Sequence, residues 1–202
     1  DLSNTAQLKS MTGYSQDNAG GLIWALYKKY DQAFIEKLKG AFAFAIWDQV
    51  EKKMIVATDY YGIKPVVWHQ KGDNFTAAGR IKNLLRDRSI ETTLNPDAIY
   101  HYLFFHAVCS PASIYKDVQK LEAGKLIKAV TGSITQQAYY DLKYRPDHKK
   151  TQSEWESTIL EQVQKAVDVS AAQSAYEKTG CFLSGGTDSS TVAGMYGIST
   201  GK

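Results

Sequence analysis

Cys181-Phe182-Leu183-Ser184-Gly185-Gly186-Thr187-Asp188-Ser189-Ser190 passes from an apolar triplet through a glycine pair into Thr191-Val192-Ala193-Gly194-Met195, a helix-compatible run. The order reads as strand, glycine turn, helix. Glycines let the backbone approach an anion with no side chain in the way. The helix start behind them offers unpaired N–H groups and the positive end of the helix dipole. Ser184, Ser189 and Ser190 add hydroxyl donors, and Asp188 adds a carboxylate able to hold Mg²⁺ beside phosphate oxygens. No Gly-Lys-Ser/Thr follows the glycines, so this is not a Walker loop. A lysine-free cradle suits enzymes that release pyrophosphate from ATP and keep the adenylyl group. The plainer reading is a Ser-Gly-Gly turn in which Asp188 or Ser189 caps a helix. The whole heptapeptide, in its strand–turn–helix setting, favours the phosphate cradle.

Upstream of this loop the texture changes. Trp155, Ile159, Leu160, Val163, Ala166 and Val167 recur at helical spacing, and Ser153-Glu154-Trp155-Glu156 has the form of a capping box that opens their helix. Arg145-Pro146-Asp147-His148-Lys149-Lys150 is polar and featureless and reads as a linker. Before it, short apolar runs alternate with turn residues: Ala41–Trp47 and Met54–Thr58, then Pro65–His69 and Asn74–Ala78, then Leu126–Val130 and Ser133–Tyr140. Helices are expected over Gly21–Tyr30, Ala33–Leu38 and Ile81–Leu85, and after Asn95-Pro96, a cap followed by a first-turn proline. Residues 1–16 give no periodic signal. The expected architecture is an antiparallel α+β half, 1–146, followed by the start of an α/β half, 151–202, with the boundary between Tyr144 and Thr151. A doubly wound sheet needs more strands than follow the loop, so the chain reads as an internal fragment.

Composition bounds the partners. The chain has 202 residues, 44% hydrophobic and 22% charged, with a net charge of +3, which describes an ordinary globular protein. No basic cluster alternates with aromatics, so nucleic acid is not indicated. The longest apolar stretch, Ala41 to Trp47, is too short to span a bilayer, and Asp1-Leu2-Ser3-Asn4 has no signal-peptide character. Cys109 and Cys181 are too few for a disulfide framework, which points to a reducing cytoplasm. His101 and His106 are five apart, on different helix faces, and with Cys109 make no metal cluster.

Five segments together resemble one family, the glutamine-dependent asparagine synthetases and their relatives. Ser184-Gly185-Gly186-Thr187-Asp188-Ser189 is similar to the pyrophosphate loop of the ATP pyrophosphatases. Gly40-Ala41-Phe42-Ala43-Phe44-Ala45-Ile46-Trp47-Asp48 resembles the family's Gly-x-Phe-Ala-Phe-Ala-x-Trp-Asp strand. Asp59-Tyr60-Tyr61-Gly62-Ile63-Lys64-Pro65 resembles its Asp-x-x-Gly-x-Lys-Pro hairpin. Leu121-Glu122-Ala123-Gly124 and Tyr139-Tyr140-Asp141-Leu142 resemble its Leu-Pro-Pro-Gly and Tyr-Trp-Asp-Leu. The resemblance implies an Ntn-hydrolase-like glutaminase half, then the beginning of an ATP-pyrophosphatase domain. It implies ATP and Mg²⁺ as cofactors, and glutamine or ammonia and a carboxylate such as aspartate as substrates. A homodimer of the intact parent is possible. Ser184, Gly185, Gly186, Ser189 and Ser190 are assigned to phosphate oxygens, Asp188 to Mg²⁺, and the backbone of Phe182 and Leu183 to the flank of the adenosine.

The chain departs from the family's pattern at named positions. The family's glutaminase uses an N-terminal cysteine whose own α-amine activates the thiol. Residue 1 here is Asp1, and Cys181 falls in a predicted buried strand, where a cysteine serves as a small hydrophobe. No catalytic residue for that reaction is therefore expected within the chain. The acidic residue that holds the glutamine α-amine is replaced by Ala19, the usual glutamate beside it by Gly21, the usual arginine before Asp59 by Thr58, and the usual Ser-Glu by Gly79-Arg80. Asp17 is the nearest carboxylate that could substitute at the first of these. The family's Asp-Val-Pro is missing around Tyr176-Glu177-Lys178. These differences leave open two other readings: an amide-forming ligase of the same scaffold with a different nucleophile, such as a β-lactam synthetase or peptide cyclase, or a module that has lost the chemistry.

Overall fold

The computed structural model describes residues 1–172 and 178–201 and divides the chain into two compact units, Asp1–Leu142 and Lys143–Lys202.

The first unit is α+β, with antiparallel sheets. Strands β1 (Ala43–Asp48), β2 (Lys53–Thr58), β6 (Lys125–Val130) and β7 (Ser133–Ala138) form one sheet in the order β1-β2-β6-β7, every pair antiparallel. Strands β3 (Val67–Lys71), β4 (Asn74–Ala78) and β5 (Gln119–Lys120) form a second, in the order β4-β3-β5. Period-two alternation sorts their side chains into layers. Ile55 and Ala57 of β2 turn to one face, where they meet Leu22, Ile23, Leu26 and Tyr27 of α2 (Ala19–Tyr30) and Phe34 of the 3₁₀ turn Asp31–Lys37. Val56, between them, turns the other way and meets Trp68 of β3 and Leu121. Val67, next to Trp68, faces away again onto Leu84 of α3 (Ile81–Leu84), Ile90 and Val118. The layers therefore run helix, sheet, sheet, helix. Both sheets are covered on two sides, which is why β2 reads as a continuous apolar run.

Two elements had no counterpart in the sequence pattern, the two-residue strand β5 and a helix near the start of the chain. Thr5–Thr12 is a helix, α1, whose Leu8 is fully buried in the first core. Only Leu8 and the partly buried Met11 reach that core from an otherwise polar segment, and two apolar positions leave no periodicity to read.

Helix α4 (Pro96–Phe105) starts where expected, with Asn95 Oδ1 accepting the Asp97 N–H at 3.1 Å. The start of α5 (Gln152–Ala172) differs by one short step. The capping box is Thr151-Gln152-Ser153-Glu154: the Thr151 N–H donates to Glu154 Oε2 at 2.7 Å, and the Glu154 N–H returns to Thr151 Oγ1 at 3.4 Å. Ser153 instead lies inside the first turn, its carbonyl accepting from Ser157 Oγ. Two boxes of the same form overlap in this sequence, and the earlier one takes the helix end.

The second unit corrects the expectation of a strand. Its described residues form α5 and α6 (Thr187–Thr200) and no strand. Cys181, Phe182 and Leu183 are irregular and exposed, Phe182 at 97%, so Cys181 is not the buried residue expected. A parallel strand exists only beside a neighbour that accepts its hydrogen bonds, and the described residues supply none. The sequence departure read at Tyr176 and Glu177 lies outside the described residues. Among the described residues no helix is long and apolar enough to cross a membrane.

Candidate functional site

In the first unit a buried carboxylate builds the rim of a cleft. Asp59, at the end of β2, is 1% exposed and accepts the backbone N–H groups of Tyr61 (3.1 Å) and Ile63 (3.0 Å) on one oxygen, and of Lys64 (2.9 Å) and Phe42 (3.3 Å) on the other. Burial alone would raise its pKa. The hydrogen bonds from Lys64, Ile63, Tyr61 and Phe42 outweigh burial and hold it below the usual carboxylate range. Gly62 completes the turn at φ +66°, a conformation that disfavours any side chain. The turn sets Lys64 and Pro65 at the edge of a cleft of about 870 Å³.

The rest of the cleft comes from four places. Ala43, Ala45 and Trp47 present the exposed face of β1; Ala19, Gly20 and Trp24 come from α2; Gly79, Arg80 and Asn83 lie around the start of α3; Asp1 closes one end. Asp1 and Lys64 form an ion pair at 2.7 Å. Three of the positions at which the sequence departs from the asparagine synthetase pattern, Ala19, Gly79 and Arg80, line this one cleft, though far apart in sequence. Asp17 does not line it. Its exposed carboxylate pairs with Lys9 at 3.3 Å. Among the described residues no cysteine, serine, threonine or histidine lines the cleft either.

In the second unit the structure gathers the loop residues around the start of α6. Gly185 takes φ +77°, and Gly186 is the N-cap residue. Gly186 has no side chain to cap the helix, so the first-turn N–H groups have no side-chain acceptor. The three serines brace the turn. Ser189 Oγ accepts from the Ser184 N–H at 3.2 Å and donates to the Gly186 carbonyl at 3.1 Å; Ser190 Oγ donates to the same carbonyl at 2.9 Å; the hydroxyls of Ser184 and Ser189 lie 3.0 Å apart. Asp188 is exposed in the first helical turn, two residues beyond the cap. Ser184, Gly185, Gly186, Asp188, Ser189 and Ser190 are thus one local cluster. Phe182 and Leu183 precede it as an exposed irregular segment. The residues fit a phosphate group on these grounds: glycine backbone at the approach, uncapped N–H groups, and one carboxylate beside them. A single carboxylate also suits Mg²⁺, which keeps water and phosphate oxygens in most of its shell.

Residues 5–140 match the glutamine amidotransferase domain family. The chain belongs to that family. The matched residues fall within the first unit, the one that carries the cleft.

Curated relatives extend the likeness over the second unit. An asparagine synthetase [glutamine-hydrolyzing] of Bacillus subtilis is 27% identical over 198 residues, covering 96% of this chain and 30% of that protein. A putative asparagine synthetase [glutamine-hydrolyzing] of Methanocaldococcus jannaschii is 29% identical, covering 96% of this chain and 37% of that protein. Amidase chry2 of Gibberella zeae is 33% identical over 180 residues, covering 86% of this chain and 26% of that protein. The chain thus spans between a quarter and two fifths of the length of the relatives it matches. A solved glutamine phosphoribosylpyrophosphate amidotransferase of B. subtilis covers 100% of this chain and 42% of its own at 17% identity and a TM-score of 0.47, too distant to place any residue.

The cleft was the part that sequence reasoning missed. Asp1, Trp24 and Arg80 come from separate elements, and nothing in their local patterns marks them as neighbours. The one signal available was that the departures from the family pattern share a cleft, which becomes visible only once the fold is known.

Proposed function

We propose that this chain is part of an ATP-dependent amide ligase of the asparagine synthetase type. The first unit is its glutaminase-like half and the second the beginning of its ATP-pyrophosphatase half, from about Thr151 on. The observation that carries this reading is the glycine-serine loop at the start of α6, in a chain whose first unit belongs to the glutamine amidotransferase domain family. The relatives named asparagine synthetase, aligned over 96% of the chain, support it.

In this reading the α6 loop holds the pyrophosphate end of ATP. The backbone N–H groups behind Gly185-Gly186 donate to phosphate oxygens, and the hydroxyls of Ser184, Ser189 and Ser190 would turn to do so, those of Ser189 and Ser190 leaving the Gly186 carbonyl. Such donors stabilise charge that builds up as pyrophosphate leaves. Asp188 would hold Mg²⁺, which neutralises phosphate charge when bound. Phe182 and Leu183 would flank the adenosine. The acceptor would be a carboxylate such as aspartate, activated as an acyl-adenylate and attacked by ammonia. The setting would be the cytoplasm.

A second reading is favoured by one observation. Ala19, Gly79 and Arg80 leave the first unit's cleft without the acidic groups that the family's glutaminase uses, and with a cation at Arg80 instead. In a β-lactam synthetase or peptide cyclase type of ligase, the glutaminase-like unit is structural and the nucleophile is not ammonia.

One substitution tests the loop. In the longer polypeptide that this reading requires, Asp188→Asn should abolish ATP-dependent pyrophosphate release while the melting temperature stays within a degree or two, as an exposed substitution should leave it. Because Gly186 and not Asp188 is the cap, loss of a cap cannot explain lost activity. Wild-type pyrophosphate release by Asp188→Asn at saturating ATP and limiting Mg²⁺ would sink the metal role. Supplying ammonium or primary amines in turn separates the two readings.

A further inference from the structure

The cleft of the first unit holds charges that do not balance. Among the described residues that line it, Asp1 is the one carboxylate side chain, and Lys64 already takes it at 2.7 Å. Arg80 lines the cleft as the second cation. It is exposed, and its guanidinium meets no hydrogen-bond or ion-pair partner among the described residues. Asn83 lines the cleft as well, with a side-chain amide that is free in the same sense. The Asn83 N–H donates to the Arg80 carbonyl at 3.0 Å, so the two residues stand one tight turn apart, at neighbouring positions at the start of α3. A guanidinium offers five N–H donors and an amide two more. Much of the remaining wall is apolar. Ala43 and Ala45 keep part of it low, and Trp24 and Trp47 bring indole rings that are 42% and 54% exposed.

We propose that this cleft is a binding site for a small carboxylate that has an apolar body and no ammonium group, held by Arg80 and Asn83. The donors decide the charge of the ligand. A guanidinium matches a carboxylate with two parallel N–H bonds, and the Asn83 amide supplies a further donor one turn away. The lining side chains leave one positive charge uncompensated. An ammonium group would meet two cations there and no free carboxylate, which sets the ligand apart from glutamine and every other free amino acid. The wall decides the body. A cleft of about 870 Å³ is of the size that takes a small molecule, and such sites combine an apolar lining with a few polar groups that fix orientation. A bare inorganic anion would leave the two indoles unused. With no thiol, hydroxyl or imidazole side chain among the described lining residues apart from none that could attack a carbonyl, the assignment is to binding alone.

The proposal stands independently of the amide-ligase reading, which turns on the loop at α6. Phenylacetate is the probe, and the tryptophans of the chain report where it goes. In a nitrogen-edited proton NMR titration of the full chain, phenylacetate should shift the indole N–H signals of Trp24 and Trp47 and saturate both with one dissociation constant. The signal of Trp68, which is buried in the core between the sheets, should stay in place. Phenethylamine, which carries an ammonium on a similar ring, should bind at least about tenfold more weakly, and so should L-glutamine and inorganic phosphate; tenfold or more is what one hydrogen bond to a charged group is worth. Arg80→Gln should weaken phenylacetate by about tenfold or more and leave the melting temperature unchanged, as an exposed substitution should. Arg80→Glu should turn the preference toward phenethylamine. Should Arg80→Glu fail to fold, Arg80→Gln is read alone. Unshifted Trp24 and Trp47 signals in the presence of phenylacetate overturn the proposal. Equal binding of phenethylamine or glutamine overturns it, and so does phenylacetate binding that Arg80→Gln leaves unweakened. Pyrophosphate release by the longer polypeptide is a separate measurement, so failure of this site and failure of the ligase reading are told apart.

Discussion

At the scale of single residues, two buried carboxylates of the first unit, Asp48 and Asp59, each hold the backbone of a turn. Asp48 ends β1, accepts the N–H groups of Val50 and Glu51 at 3.0 and 3.1 Å, and takes the Tyr27 hydroxyl at 2.9 Å. Asp59 does the same for the next turn with four N–H donors. Both belong to motifs that resemble the asparagine synthetases, and the structure gives a physical reason for an acid at each: a short loop leaves N–H groups without carbonyl partners, and a carboxylate can take several at once. Asp59→Ala should lower stability by about 3 kcal/mol at neutral pH, since it strands four buried donors. Denaturant melts would measure it. The pH dependence has a definite sign. The folded pKa of Asp59 lies below its unfolded value of about 3.9, so the stabilisation is full above that value and drains away as pH falls through the folded pKa. Asp59→Asn should be less stable at pH 7 and show a flatter decline between about pH 5 and pH 2. An unchanged acid limb in that variant would mean another carboxylate governs it.

At the scale of elements, the hydrogen bonds at the start of α5 correct the capping box read at Ser153. Ser153 with Glu156 and Thr151 with Glu154 both fit a capping box, and the hydrogen bonds select the second. Thr151→Ala should reduce the helicity and stability of α5 by about 1 kcal/mol, the usual cost of losing a capping side chain. Ser153→Ala should cost far less. Equal effects would return the cap to Ser153. Beyond its start, α5 packs against α6 through Gln164, which donates to Ser199 Oγ at 2.8 Å and to the Met195 carbonyl at 3.3 Å. Val167 is the one buried residue of α5, while Ile159 and Leu160 stand more than half exposed. The apolar spacing identified the helix correctly but not what covers it, because periodicity records a need for cover and not its source.

At the scale of the whole molecule, two units imply a cleavable join. Residues 141–150 are exposed throughout and include Lys143, Arg145, Lys149 and Lys150. Brief trypsin treatment should cut there first and release a first unit that keeps its far-ultraviolet spectrum and melt. First cuts inside β2 or β6 would refute the division. The first unit's cleft bears on catalysis by the chain itself. Among its lining residues there is no thiol, hydroxyl or imidazole, and Cys109 and Cys181 are exposed and absent from it. The chain as it stands should release no ammonia from glutamine above a no-protein control. Ammonia release that disappears on replacing Cys109 or Cys181 with serine would overturn that expectation.

The sequence by itself determined six of the seven strands of the first unit, most helices and the glycine-serine turn, because alternation, caps and turn residues are local and each acts within a few positions of itself. Asn95-Pro96 as a helix start, and the hairpins on either side of Asp59, were legible for that reason. Three things were decided only by tertiary structure. Thr5–Thr12 became a helix because Leu8, with Met11 beside it, found a place in a core built by residues far along the chain. Cys181–Leu183 did not become a strand, because strand hydrogen bonds need a neighbour that the described residues do not provide. The cleft of Asp1, Ala19, Lys64 and Arg80 formed where two sheets and two helices meet. Packing of elements distant in sequence assembled it, and no local pattern carries information about such a meeting.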